Sequence, residues 1–113
     1  MCELALLRAG AGSVERLRRA IDTFLEHSDI YVAESGKALA HAGPYIVGCH
    51  YLAFDYQGAA EAQSLLPADA KTSIRLREMI LAGRLADGAF IDNPVVGRSY
   101  GTAMAILALS ELL

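Results

Sequence analysis

The chain repeats itself, and the repeat limits what it can fold into. Residues 45–54 (YIVGCHYLAF) lie over residues 100–109 (YGTAMAILAL), 55 positions apart, so that Tyr45 matches Tyr100 and Leu52-Ala53 matches Leu107-Ala108. Upstream of each apolar segment stands an amphipathic one, and these align as well: Arg16-Leu-Arg-Arg falls on Arg75-Leu-Arg-Glu, 59 positions apart. The small difference between the two offsets is absorbed by the connections. A unit that pairs a half-wet helix with an apolar one cannot bury its apolar face alone, so two stacked units are read as an outer and an inner layer of helices.

The periodicity places the elements. Ser13 is an N-cap with Glu15 in the first turn, and Val14, Leu17, Ile21, Phe24 and Leu25 recur at helical spacing against Arg16, Arg18, Arg19, Asp22 and Glu26. That helix is expected to end near Ser28-Asp29, with residues 30–44 as a long connection broken by Gly36 and Gly43-Pro44. Residues 45–66 leave almost no polar side until Gln57, Glu61, Gln63 and Ser64, which is the pattern of a buried helix ended by Pro67. A second half-wet helix is predicted over residues 71–83, then an irregular stretch with the turn dipeptides Asp87-Gly88 and Asn93-Pro94, then an apolar helix from Thr102 to the end. The opening Leu4-Ala-Leu-Leu reads as the tail of a further inner helix. Residues 1–12 are accordingly a tail, 13–66 the first unit and 67–113 the second, together one all-α domain.

Composition narrows the function classes. Ten Lys and Arg against thirteen Asp and Glu leave a net charge of −3, with no basic excess for nucleic acid or an anionic membrane surface. With 54% hydrophobic and 20% charged residues the chain is far from a disordered composition. Its apolar runs fall short of the roughly 20 residues that a membrane span needs. The N-terminus carries Glu3 where a signal peptide carries positive charge, so a soluble, cytoplasmic protein is the default expectation. Cys2 and Cys49 form at most one bridge, and both are expected to be buried thiols.

The second unit sharpens the reading: Asp87-Gly88-Ala89-Phe90, then Tyr100-Gly101-Thr102-Ala103-Met104-Ala105. It resembles the prenyltransferase and squalene-cyclase repeat family, whose units carry a Gln-x-x-Asp-Gly-x-Trp turn followed by a Tyr-Gly-Thr-Ala-Met-Ala inner helix. The His50-Tyr51 pair is similar to the Gly-His-Tyr-Tyr segment of bacterial members. The resemblance is good over residues 75–113, weak over 13–66, and departs from the pattern at Arg84 (Gln in the family) and Phe90 (Trp). It implies an α/α toroid, of which two antiparallel outer/inner hairpins are a part, and Asp87, Gly88 and Phe90 as the structural turn motif. The family's cyclases protonate an alkene with Asp-x-Asp-Asp, and its protein transferases bind zinc through an Asp, a Cys two residues later and a distant His. Neither set is in this sequence, where Val47 precedes Cys49 by two, so no catalytic residue, metal ligand or cofactor is assigned.

Among single residues, His50, Gln57, Glu61 and Ser64 fall on one helical face, and with Tyr51 and Tyr100 they are the expected cavity face for an apolar ligand. The plainer reading of His50 is a histidine satisfied within the core. Tyr45, Tyr51, Phe54 and Tyr56 serve either as an aromatic pocket wall or as inner-helix packing. Asp92-Asn93 and Asp87-Gly88 are explained by turn chemistry without calcium, and Arg16, Arg18 and Arg19 by a solvated face. The resulting expectation is a non-catalytic helical-repeat scaffold or binding module. It is completed by self-association or by the rest of a larger toroid, with an apolar small molecule as its candidate ligand. Two alternatives stand beside it: a segment of a cyclase- or transferase-like enzyme whose acid or zinc ligands lie elsewhere, and an unrelated helical-hairpin interaction module.

Overall fold

The computed structural model describes residues 1–34 and 51–113; His50, Cys49 and Tyr45 lie outside them. Six helices make up the described residues: α1 (Cys2–Arg8), α2 (Val14–Glu26), α3 (Ser28–Glu34), α4 (Leu52–Ser64), α5 (Ala70–Ala82) and α6 (Gly97–Glu111). No strand is present among them, only one isolated antiparallel bridge between Arg84 and Phe90. The chain is all-α.

The two amphipathic helices are fixed by their caps and stripes. The Ser13 hydroxyl accepts from the Arg16 amide at 3.3 Å, and Leu17, Ile21 and Leu25, four apart, form the buried edge of α2. At α5, Asp69 accepts from the Lys71 and Thr72 amides at 3.1 and 3.4 Å and from the Thr72 hydroxyl at 2.7 Å, while Thr72, Leu76 and Ile80 point inward. These capping bonds hold the Asp69 carboxyl below the usual carboxylate range, the Thr72 hydroxyl first among them.

The most extensive helix pair is α4 with α6, and its residues explain why. Ala59, Ala60 and Ala62 on α4 and Gly101, Ala105 and Ala108 on α6 are buried and small, which lets the two helices approach closely. Helix α5 packs on both and closes one side with Leu76 and Ile80; α2, with α1 against it, packs on α4 with Leu17 and Ile21. The guanidinium groups tie helix ends together. Arg75 donates to the Leu25 carbonyl at the end of α2 (2.7 Å), Arg77 to the Leu112 carbonyl after α6, and Arg18 to the Pro67 carbonyl (3.2 Å) between α4 and α5. Last-turn carbonyls have no intrahelical partner, and a cation is what they bind best.

Several expectations are corrected. The helix end near Ser28 is a break, after which α3 continues to Glu34, so the connection begins later; the Ser28 hydroxyl bonds the Leu25 carbonyl at 2.9 Å there. Of the helix expected over residues 45–66, the described part begins at Leu52, with Tyr51 as its cap residue, and it is not buried all round, since Tyr51 and Phe54 are exposed. Helix α6 begins at Gly97, five residues before Thr102, because the Asn93 side chain accepts from the Val95 and Val96 amides (2.9 and 3.1 Å) and sets the turn. Cys2 is exposed: the helix that carries it has only Leu4 buried. Arg16 and Arg18 are not merely solvated, since Arg16 pairs with Glu3 of α1 at 2.8 Å and Arg18 with Asp69 at 3.4 Å.

Candidate functional site

The motif of the second unit is a device for holding one short segment against α6. Gly88 takes φ +88°, which closes the turn; the Leu85 amide bonds the Ala89 carbonyl at 2.8 Å, and Asp87 accepts from the Ala89 amide at 3.2 Å and pairs with Arg98. Phe90 is thereby delivered into the core. Thr102 then clamps it, its hydroxyl accepting from the Phe90 amide at 3.0 Å and donating to the Phe90 carbonyl at 3.3 Å. Gly101 is required for this approach: a Cβ there would stand 2.8 Å from the Asp92 amide nitrogen and 2.9 Å from the Phe90 carbonyl oxygen.

The segment so held carries Asp92, 3% exposed, to the N-terminus of α4. Tyr51 caps that helix with no side-chain bond, and Asp92 does the work from a distance: its Oδ1 accepts from the Ala53 amide at 3.2 Å. Its Oδ2 is buried and has no hydrogen-bond partner among the described residues. Burial raises the Asp92 carboxyl above the usual carboxylate range; the Ala53 and Leu52 amides oppose the shift and the nearby Asp55 charge adds to it. Burial also raises Asp55, in the first turn of α4, and Tyr100, which faces both acids.

Beside Asp92 opens a cavity of about 310 Å³ between α4, α5, α6 and the Phe90–Asp92 segment. Leu52 and Tyr56 line it from α4, Met79 and Ile80 from α5, Ala105 from α6, and Phe90 from the segment. Asp92 supplies its only carboxyl group among the described residues, and Tyr56 a phenol. A mainly apolar chamber with few polar groups has the form of a small-molecule site.

The residues singled out from the sequence divide between three places. Tyr51 and Tyr100 come together edge to face, 6.1 Å between ring centroids and 72° between planes, beside the acids at the start of α4. Gln57 and Glu61 are also joined, Gln57 Nε2 donating to Glu61 at 3.1 Å, but Glu61 pairs with Arg8 of α1, so this face of α4 turns toward α1 and does not line the cavity. Asp87 and Gly88 form the turn, and Phe90 reaches the cavity wall. Of the aromatic residues, Tyr56 lines the cavity and packs edge-on to Phe24 at 6.2 Å, while Phe54 faces solvent. Sequence reasoning missed Asp92 by joining it to Asn93 as one turn pair. The available signal was its place directly after Phe90-Ile91, in an apolar run where an acid has no solvated face to occupy.

No group of His, Cys, Asp and Glu among the described residues is arranged to hold a metal ion. No helix among them is long and apolar enough to cross a membrane. No family model, curated protein or solved structure matches this chain.

Proposed function

We propose that this chain is a non-catalytic helical-repeat binding module of the prenyltransferase and squalene-cyclase type, taking an apolar small molecule in the cavity between α4, α5 and α6. The observation that carries the reading is that cavity: about 310 Å³, walled by Leu52, Met79, Ile80, Phe90 and Ala105. An engineered protein cavity of about 150 Å³ holds benzene, so roughly twice that volume suits a compact molecule of about a dozen heavy atoms. The order of elements agrees with two outer/inner hairpins, α2 with α4 and α5 with α6, the inner helices α4 and α6 packing on one another.

The same reading supplies a partner. Leu52 is 4% exposed; its counterpart in the second unit, Leu107, is 51% exposed, and Ile106 beside it 59%. In a stacked repeat, the face that one unit covers on its neighbour is left bare on the terminal unit. We assign that bare face of α6 to a second copy or to further repeats of a larger toroid.

The ligand reading is tested by titrating methyl-labelled protein with 1-adamantanol. The Met79, Ile80 and Ala105 methyl signals are expected to shift saturably. Ala53→Phe, which fills the half-buried cavity wall, is expected to abolish the shifts while leaving the helical circular-dichroism spectrum intact. Shifts that are absent, or that survive Ala53→Phe, overturn the proposal.

A further inference from the structure

The chain contains one joint between units, where the front of the first meets the back of the second, and its outer layer is charged. Asp22, Leu25 and Glu26 of α2 share a groove with Lys71, Thr72 and Arg75 of α5, and Arg75 reaches across it to the Leu25 carbonyl at 2.7 Å. Two acids on one side therefore stand opposite two cations on the other. The inner layer of the joint is apolar: Leu52 of α4, 4% exposed, shares the cavity wall with Met79 and Ala105 of the second unit.

The repeat carries these positions to the front of the second unit. The counterparts of Asp22 and Glu26, 59 positions on, are Leu81, in the last turn of α5, and Leu85, just past its end. The counterpart of Leu52, 55 positions on, is Leu107. Leu81 is 44% exposed, Leu85 36%, Leu107 51% and its neighbour Ile106 59%. Where the first unit shows its successor two carboxylates, the second shows two leucines. A further unit with the back of α5 would set a lysine and an arginine against those leucines, and burying cations on an apolar wall without an anion is strongly unfavourable.

Head-to-tail stacking of whole chains fits no better, because the back of the first unit is occupied. Glu3 of α1 takes Arg16, the counterpart of Arg75; the Met1 side chain lies against Gly58, and Arg8 pairs with Glu61 of α4. The apolar front is matched by a surface of its own kind. A two-fold axis supplies one, since it lays the same patch of each copy on the other, leucine on leucine with no charge buried, and closes after two chains.

We infer that the front of the second unit, formed by Leu81, Leu85, Ile106 and Leu107, is an isologous interface between two copies of this chain. This narrows the partner of the proposed module to one occupant, and it rests on the reading of the chain as stacked repeats and not on the ligand. The exchange of acids for leucines is then a specificity device: it rejects the cationic back of a further unit and accepts a second copy.

Paired charge variants test the interface. The wild type at micromolar concentration is expected to sediment as two chains and no more. Leu107→Lys and Leu107→Glu each bring like charges together across the axis. Each is expected to weaken pairing by at least about a hundredfold and to sediment as one chain, with its helical circular-dichroism spectrum intact. Mixed in equal amounts, the two variants are expected to pair again, one chain of each, because an isologous contact brings the same region of both copies together. Mixing rescues no head-to-tail contact, in which Leu107 meets a different residue. Leu65→Lys, at the exposed end of α4, is expected to leave the wild-type pair unchanged. Masses that climb past two chains, charge variants that still pair alone, or variants that stay single when mixed overturn the isologous interface and leave the stacked-repeat reading standing. A wild type that stays a single chain overturns the interface and the assignment of a second copy together, while the ligand reading is decided separately by the methyl shifts.

Discussion

Asp92 is unusual because its two oxygens sit in opposite situations. Oδ1 lowers the cost of an uncapped helix N-terminus and Oδ2 is buried with no hydrogen-bond partner among the described residues. Burial prevails, so the folded carboxyl holds its proton to higher pH than the unfolded one. In the window between the two values the folded state binds more protons, and stability falls as pH rises through it. Below the window both states are protonated and the contribution vanishes. Asp92→Asn, with no charge to desolvate, is therefore expected to be more stable than the wild type in urea unfolding at pH 7, with the difference shrinking as pH falls into the carboxylate range. A variant less stable than the wild type at pH 7 would show that the ionised cap outweighs the burial.

At the scale of elements, caps and small residues decide where helices start and how near they come. The Ser13 hydroxyl satisfies the Arg16 amide, and Ser13→Ala is expected to cost about 1 kcal/mol of folding free energy in chemical denaturation. Gly101→Ala acts differently. Its Cβ would press on the Asp92 amide and the Phe90 carbonyl, backbone atoms of a segment that Thr102 clamps against α6, so neither can yield cheaply. The expected loss is about 1–3 kcal/mol, the usual cost of overpacking, despite the better helix propensity of alanine. A stabilised Gly101→Ala protein would show that the segment is free to move off α6.

For the whole molecule, the decisive feature is the unlike exposure of two matching sequence segments. Leu52 on α4 is sealed, whereas the matching Leu107 and its neighbour Ile106 stand open on α6. Monomeric proteins rarely leave a contiguous apolar helix face uncovered. Sedimentation of the wild type is expected to show a mass above that of one chain, and Ile106→Glu with Leu107→Glu to return it to one chain without loss of helix content. A monomeric wild type would remove the second copy from the reading.

Much of this architecture is legible in the sequence because it is written in local terms. Apolar spacing gives α2 and α5 to within a residue or two, and Ser13 marks the start of α2. Asp87-Gly88 declares a turn through a backbone angle that glycine alone takes easily. The break at Ser28 and the early start of α6 escape such reading because each depends on the hydrogen bonds of a single side chain. The site escapes it more completely. Periodicity puts Gln57 and Glu61 on a polar stripe, but only packing decides that the stripe meets Arg8 of α1. Asp92 looks like half of a turn until Gly101 and Thr102 draw it against α6 and the N-terminus of α4. The sequence by itself determined which segments are helical and which sides are apolar, since those follow from propensity and period. Tertiary structure alone decided which polar group is buried with an oxygen to spare, because burial belongs to the assembled helices and not to any one of them.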